Sequence, residues 1–158
     1  MLAAPKPPHF LCRYRFMPPL VAIRSGTHLW YSHAMSKVSV RYIVSDVDAA
    51  IPFYTEQLGF RVESHPAPGF ASLARGDLLL LLNQPGAGGA GQAMPDGQLP
   101  APGGWNRVQL EVDDITATVE KLKGSGCRFR NEIVTGRGGK QVLVEDPSGN
   151  LIELFEPA

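Results

Sequence analysis

Val38-Ser39-Val40-Arg41-Tyr42-Ile43-Val44-Ser45-Asp46 alternates apolar and polar residues and then meets an acid. Its counterpart further on is Asn106-Arg107-Val108-Gln109-Leu110-Glu111-Val112-Asp113-Asp114. Alternation with a period of two marks a strand with one buried face, and the acid that follows is a helix-start signal. Ser39 matches Arg107, Val44 matches Val112 and Asp46 matches Asp114 at one constant offset. Each unit then runs through a helical stripe to a glycine and a new strand, Gly59-Phe60-Arg61-Val62 in the first and Gly126-Cys127-Arg128-Phe129 in the second. A duplicated unit folds with an approximate twofold axis, so matched positions face one another across whatever the two copies enclose.

At 158 residues the chain suits one domain or one duplicated domain. The formal charge is zero, yet residues 1–36 carry Lys6, Arg13, Arg15 and Arg24 with no acid, which leaves the remainder at −4. No basic stripe runs through that remainder, so nucleic acid is not an expected partner. No run is apolar enough to span a bilayer, so neither is a membrane. Cys12 and Cys127 are far apart and form no CxxC, which fits a reduced, cytoplasmic protein. Residues 1–36 hold Pro5, Pro7, Pro8, Pro18 and Pro19 and show no apolar period. They read as a disordered or non-native extension, with Met35 as an alternative start and a targeting peptide as the other reading.

Along the body, residues 38–44 predict a strand. Residues 46–58 predict a helix with Val47, Ala50, Ile51, Tyr54 and Leu58 on its buried side, stopped by Gly59. Pro52 inside it predicts a kink or a tighter first turn. Strands follow near 60–65, 69–74 and 77–83. Residues 85–104 are rich in glycine and proline and form a linker, mobile or wrapping the surface. The plan then repeats, with a strand over 106–112, a helix over 114–123 and strands near 127–132, 140–145 and 150–156. Asp146-Pro147-Ser148-Gly149-Asn150 reads as the turn of the last hairpin. The expected class is α+β: two tandem βαβββ modules, residues 37–84 and 105–158, with curved mixed sheets around a shared cleft and the helices outside.

Val44-Ser45-Asp46, Ile51-Pro52-Phe53-Tyr54, Leu58-Gly59-Phe60, Glu111-Val112-Asp113-Asp114 and Glu145-Asp146-Pro147-Ser148-Gly149-Asn150-Leu151-Ile152-Glu153-Leu154 together resemble the glyoxalase/bleomycin resistance protein/dioxygenase superfamily, the vicinal oxygen chelate proteins. The resemblance covers about residues 37–157. It implies the fold strongly and the activity weakly, because such proteins include isomerases, dioxygenases, thiol transferases and drug binders.

In the metal-using relatives, the first and last strands of each module supply the ligands. By resemblance those positions here are Ser39, Leu80, Arg107 and Glu153. A divalent transition metal needs several converging His, Cys, Asp or Glu groups, and only Glu153 qualifies. His9, His28 and His33 lie in the N-terminal segment, leaving His65 in the body, where it reads as an exposed loop histidine. The expectation is therefore no metal and no cofactor. Alternation places Ser39, Arg41, Arg107, Gln109, Glu111, Glu153 and Phe155 on the cleft face with Trp105 at its mouth. Two readings stay open. In one, these residues bind a polar or zwitterionic small molecule. In the other, Arg107 and Glu153 pair inertly.

The functions considered are a metal-independent binding protein like the family's drug-resistance members, a lyase or isomerase using Glu153 or Glu111 as general base, and a dioxygenase-like enzyme with an atypical metal site. A homodimer is expected. Cys127 aligns with Phe60 and reads as a core thiol, Tyr54 as core, Asp113-Asp114 as a helix cap, and Arg137-Gly138-Gly139-Lys140-Gln141 as a solvated hairpin tip. If the N-terminal segment adds nothing to the fold, a chain beginning at Met35 should melt within a few degrees of the full chain. A large drop in melting temperature would mean that the segment docks on the body.

Overall fold

The computed structural model describes residues 39–158, so the expectations for residues 1–36 fall outside it. The first module runs β1 (Ser39–Ile43), α1 (Val47–Pro52), a π-helical segment (Phe53–Gln57), β2 (Arg61–Ala67), β3 (Phe70–Arg75) and β4 (Leu78–Asn83). The second runs β5 (Arg107–Glu111), α2 (Ile115–Gly124), β6 (Arg128–Phe129), β7 (Val134–Gly136), β8 (Gly139–Glu145) and β9 (Leu151–Pro157). The first sheet has the order β1-β4-β3-β2 and the second β5-β9-β8-β6, with β7 added against β8. In each, the module's first strand pairs in parallel with its last, and the hairpins are antiparallel. The α+β class, the two modules and the mixed sheets are as the sequence predicts. The short β7 was not anticipated, and the strand expected over 127–132 shrinks to two residues.

The duplication extends to the helix ends. Asp46 accepts a hydrogen bond from the Ala49 amide at 3.0 Å, and Asp114 accepts one from the Ala117 amide at 2.9 Å. Each satisfies an amide that the first helical turn leaves without a backbone partner. At the other ends, Gly59 (φ 69°) and Gly126 (φ 79°) take the left-handed conformation that reverses the chain. The helices nevertheless differ by one residue. Asp46 and Asp114 lie 68 positions apart, whereas Gly59 and Gly126 lie 67 apart.

The π-helical segment absorbs the extra residue in the first helix. Past it, the Phe60 amide reaches back six residues to the Tyr54 carbonyl, while the matching Cys127 amide reaches back five to Leu122. Pro52, lacking an N–H, ends the regular α-helical ladder just before this segment. The backbone therefore widens after Pro52, where a kink or tighter turn was expected.

One face of each sheet packs under the helices. Tyr42, Val44, Leu73, Leu80 and Leu82 from the first module join Val108, Leu110, Val142, Val144, Ile152 and Leu154 from the second in a single core cluster. Val47, Ala50, Tyr54, Ile115, Val119 and Leu122 close it from the helices. The Tyr54 ring meets Phe53 and Phe60 edge-on, with centroids 5.2 and 5.6 Å away.

Polar side chains bind the two modules together. The Tyr42 hydroxyl donates to the Leu151 carbonyl at 2.8 Å and accepts from the Val108 amide at 2.9 Å. The Tyr54 hydroxyl donates to Asp146 at 2.8 Å, and Asn150 Nδ2 donates both to Asp146 and to the Ile43 carbonyl. The turn 146–150 is thus also the joint between the modules.

Tyr42→Phe keeps the ring but leaves a buried amide and a buried carbonyl without this partner. It is expected to cost about 1–3 kcal/mol in urea denaturation. A variant as stable as the wild type would mean that solvent replaces the hydroxyl.

Candidate functional site

Strand register decides which side chains share the face away from the core. On the second sheet, Arg107 pairs with Leu151, Gln109 with Glu153 and Glu111 with Phe155, while β8 sets Leu143 beside Glu153 and Gln141 beside Phe155. Val108, Leu110, Ile152 and Leu154, which alternate with them, belong to the core cluster. The face therefore carries Arg107, Gln109, Glu111, Glu153 and Phe155 together. Trp105 precedes β5 and is 71% exposed.

On the first sheet, Ser39 pairs with Leu79 and Arg41 with Leu81, and Leu81 lies beside Ser72 of β3. Ser39 and Arg41 are exposed there. Leu80 is corrected. It pairs with Val40 and Leu73, is fully buried and belongs to the core. Arg41 corresponds to Gln109, and Gln109 pairs with Glu153, so the residue matching Glu153 is Leu81. Counting four residues on from Gly76 and from Gly149 sets Leu80 against Glu153, but the two turns differ in length. Arg75 pairs with Leu78 across a two-residue turn, whereas Glu145 pairs with Leu151 across five. A one-residue slip exchanges the faces of a strand.

Two features of the first sheet were missed. Arg41 Nη1 donates to Asn83 Oδ1, and Asn83 is itself buried. A hollow of about 330 Å³ opens over Ser72, Ala74 and Leu79 and is rimmed by Arg61, Glu63 and Asp77. Alternation marked Ser39 and Arg41 on this face, but the run Leu78–Leu82, five leucines that cannot show an alternation, gave no signal for the hollow.

The polar centre of the second sheet is a three-residue arrangement around one carboxylate. Arg107 Nε donates to Glu153 Oε2 at 2.7 Å, and Gln109 Nε2 donates to Glu153 Oε1 at 2.6 Å. The Glu153 side chain keeps 9% of its surface, while that of Arg107 keeps 36%. Burial alone would raise the Glu153 carboxyl. The hydrogen bonds from Gln109 and Arg107, with the guanidinium charge, overcome it and hold the pKa below the ordinary carboxylate value. Glu111 is exposed on the same face.

The residues at the expected ligand positions do not fit a metal. Serine and leucine occupy the first module's places and a cation stands at the third. Both oxygens of the one suitable carboxylate already accept hydrogen bonds. Among the described residues no group of three or more His, Cys, Asp or Glu side chains converges. His65 lies in β2, not in a loop, with Nε2 3.1 Å from Asp48. Cys127 packs against the core and burial raises its thiol pKa, the reverse of what a nucleophile needs. No helix of the described residues is long and apolar enough to cross a membrane.

Residues 32–154 match the family model described as Glyoxalase/Bleomycin resistance protein/Dioxygenase superfamily. The sequence is 26% identical over 141 residues to a protein of Mycobacterium tuberculosis named "Putative glyoxylase CFP32". That match covers 89% of this chain and 49% of the relative, so the chain spans about half the length of that relative. Among solved structures, a superfamily member from Sphaerobacter thermophilus superposes with a TM-score of 0.60 at 26% identity, over 75% of this chain and 94% of that one. TnmS3, an antibiotic binding protein from a Streptomyces species, superposes with a TM-score of 0.59 at 26% identity, over 83% of this chain and all of that one.

A carboxyl whose folded pKa is lowered stabilises the fold fully above its unfolded value, and that contribution is lost as pH falls through the folded value. Glu153→Gln should therefore flatten part of the acid limb of stability when urea midpoints are compared from neutral to about pH 3. A variant whose acid limb parallels the wild type would show that Glu153 is not held as an anion.

Proposed function

We propose that this chain, which belongs to the glyoxalase/bleomycin resistance protein/dioxygenase superfamily, is a small-molecule-binding protein that works without a metal. The observation that carries this reading is Arg107. A cation stands where a metal-using relative would place a ligand, and the neighbouring carboxylate has both oxygens engaged. Such a face can hold a molecule by charge-assisted hydrogen bonds and apolar contact. Arg107, Gln109, Glu111, Glu153, Phe155 and Trp105 on the second sheet, with Ser39 and Arg41 on the first, are the proposed binding residues. The likeness to an antibiotic binding protein supports a ligand of that broad kind.

The second reading is a lyase or isomerase, favoured by the glyoxylase name of the mycobacterial relative. Glu153 is a poor base for it, because its proton affinity is lowered and its oxygens are occupied. Glu111, exposed on the same face, is the better candidate.

Two measurements separate the readings. Elemental analysis of dialysed protein should find no stoichiometric zinc, nickel, manganese or iron, and one such ion per chain would overturn the metal-free proposal. Incubation with methylglyoxal and glutathione should give no product above the uncatalysed rate. Turnover that survives chelator and is lost in Glu111→Gln would establish the enzyme instead.

A further inference from the structure

We infer that Arg107 is the anion receptor of the second sheet, so the small molecule bound there carries a carboxylate or a similarly compact anionic group on an apolar body. This rests on the reading of that face as a binding surface and names the chemistry it selects.

The donor inventory points this way. A guanidinium has five N–H donors in a rigid fork. Glu153 takes Arg107 Nε on one oxygen, while its other oxygen is held by Gln109. No residue other than Glu153 accepts a hydrogen bond from Arg107 among the described residues, and about a third of the arginine side chain stays open to solvent. An inert pair would be expected to close as a two-point fork. Here one oxygen of Glu153 holds the guanidinium at one edge, and the N–H donors on its other side are left for something else.

Glu153 is the positioning residue. It is buried, it is kept ionised by the groups around it, and it restrains an arginine that would otherwise sample many rotamers. It is a weak receptor for a ligand cation, because both oxygens are engaged. The other acids near this end of the face are Glu145, bound by Arg128 and Arg130, and Glu111, four residues along β5. At roughly 3.4 Å per residue, Glu111 lies on the order of 13 Å along the strand from Arg107, too far to neutralise its fork. Apolar surface for the ligand body is supplied on the same face by Phe155 and just before the strand by the exposed Trp105.

The test uses benzoate and benzamide, which share a shape and differ in charge, each titrated into isotope-labelled full-length protein and followed by amide chemical shifts. Benzoate should perturb β5 and β9 around Arg107 and Glu153, with an affinity roughly five- to tenfold above that of benzamide. Arg107→Gln should erase that preference while keeping the dispersed spectrum of a folded protein. Arg107→Lys, which keeps the charge but loses the fork, should lose most of it. Equal binding of the two probes at this face would overturn the anion inference and leave the binding surface standing. Perturbation by neither, or only elsewhere, would overturn both. A preference untouched by Arg107→Gln would assign the anion to another residue.

Discussion

Asp146 is the constraint on which the arrangement depends. Its carboxylate is buried and accepts hydrogen bonds from the Tyr54 hydroxyl, the Ser148 and Asn150 amides and the Asn150 side chain. A buried carboxylate is tolerated only when its acceptor capacity is met in this way. Because one donor comes from the first helix and the rest from the last turn, satisfying Asp146 also fixes one module against the other. Asn150 extends the link to the Ile43 carbonyl, and Tyr42 closes it from the other side on Val108 and Leu151. Apolar packing is tolerant of small slips, whereas these bonds have direction and length, so they set the relation between β1 and β5.

The two modules share a plan and diverge where they meet. Both helices start at an aspartate and stop at a left-handed glycine. Only the first contains the π-helical segment, and that segment holds Tyr54, the residue that reaches Asp146. Among the described residues, the side chains of the second module's regular helix make no such hydrogen bond to the first module. The longer helix is thus the one whose tyrosine meets the other module.

On the open faces the divergence is chemical. Ser39 and Leu81 on the first sheet stand where Arg107 and Glu153 stand on the second. The charged pair stands in one module and a leucine-floored hollow in the other. The low proton affinity of Glu153 fits a group that holds an arginine better than one that takes a proton.

Local alternation alone determined the class of this protein. The strands β1 and β5, the acid caps, the helix-ending glycines and the outward-facing set Arg107, Gln109 and Glu111 follow from period and spacing, because each depends on neighbours within a few residues. Glu153, in the non-alternating run Leu151-Ile152-Glu153-Leu154-Phe155, is marked instead by the family resemblance. The family's fold was legible from the same motifs. Tertiary structure decided the rest. Leu80 and Leu81 could not be told apart within five leucines, since register is set by the partner strand and the turn length and not by the run itself. The insertion that separates the two helices was present in the spacing of Asp46, Asp114, Gly59 and Gly126, but only backbone hydrogen bonds show it as a π-helical segment. The turn Asp146–Asn150 read as a turn and became a joint, because its partners, Tyr54 and Ile43, lie about a hundred residues away in sequence. Which edge of the Arg107 guanidinium is held and which is open is likewise a matter of three-dimensional approach, and that geometry carries the function proposed for it.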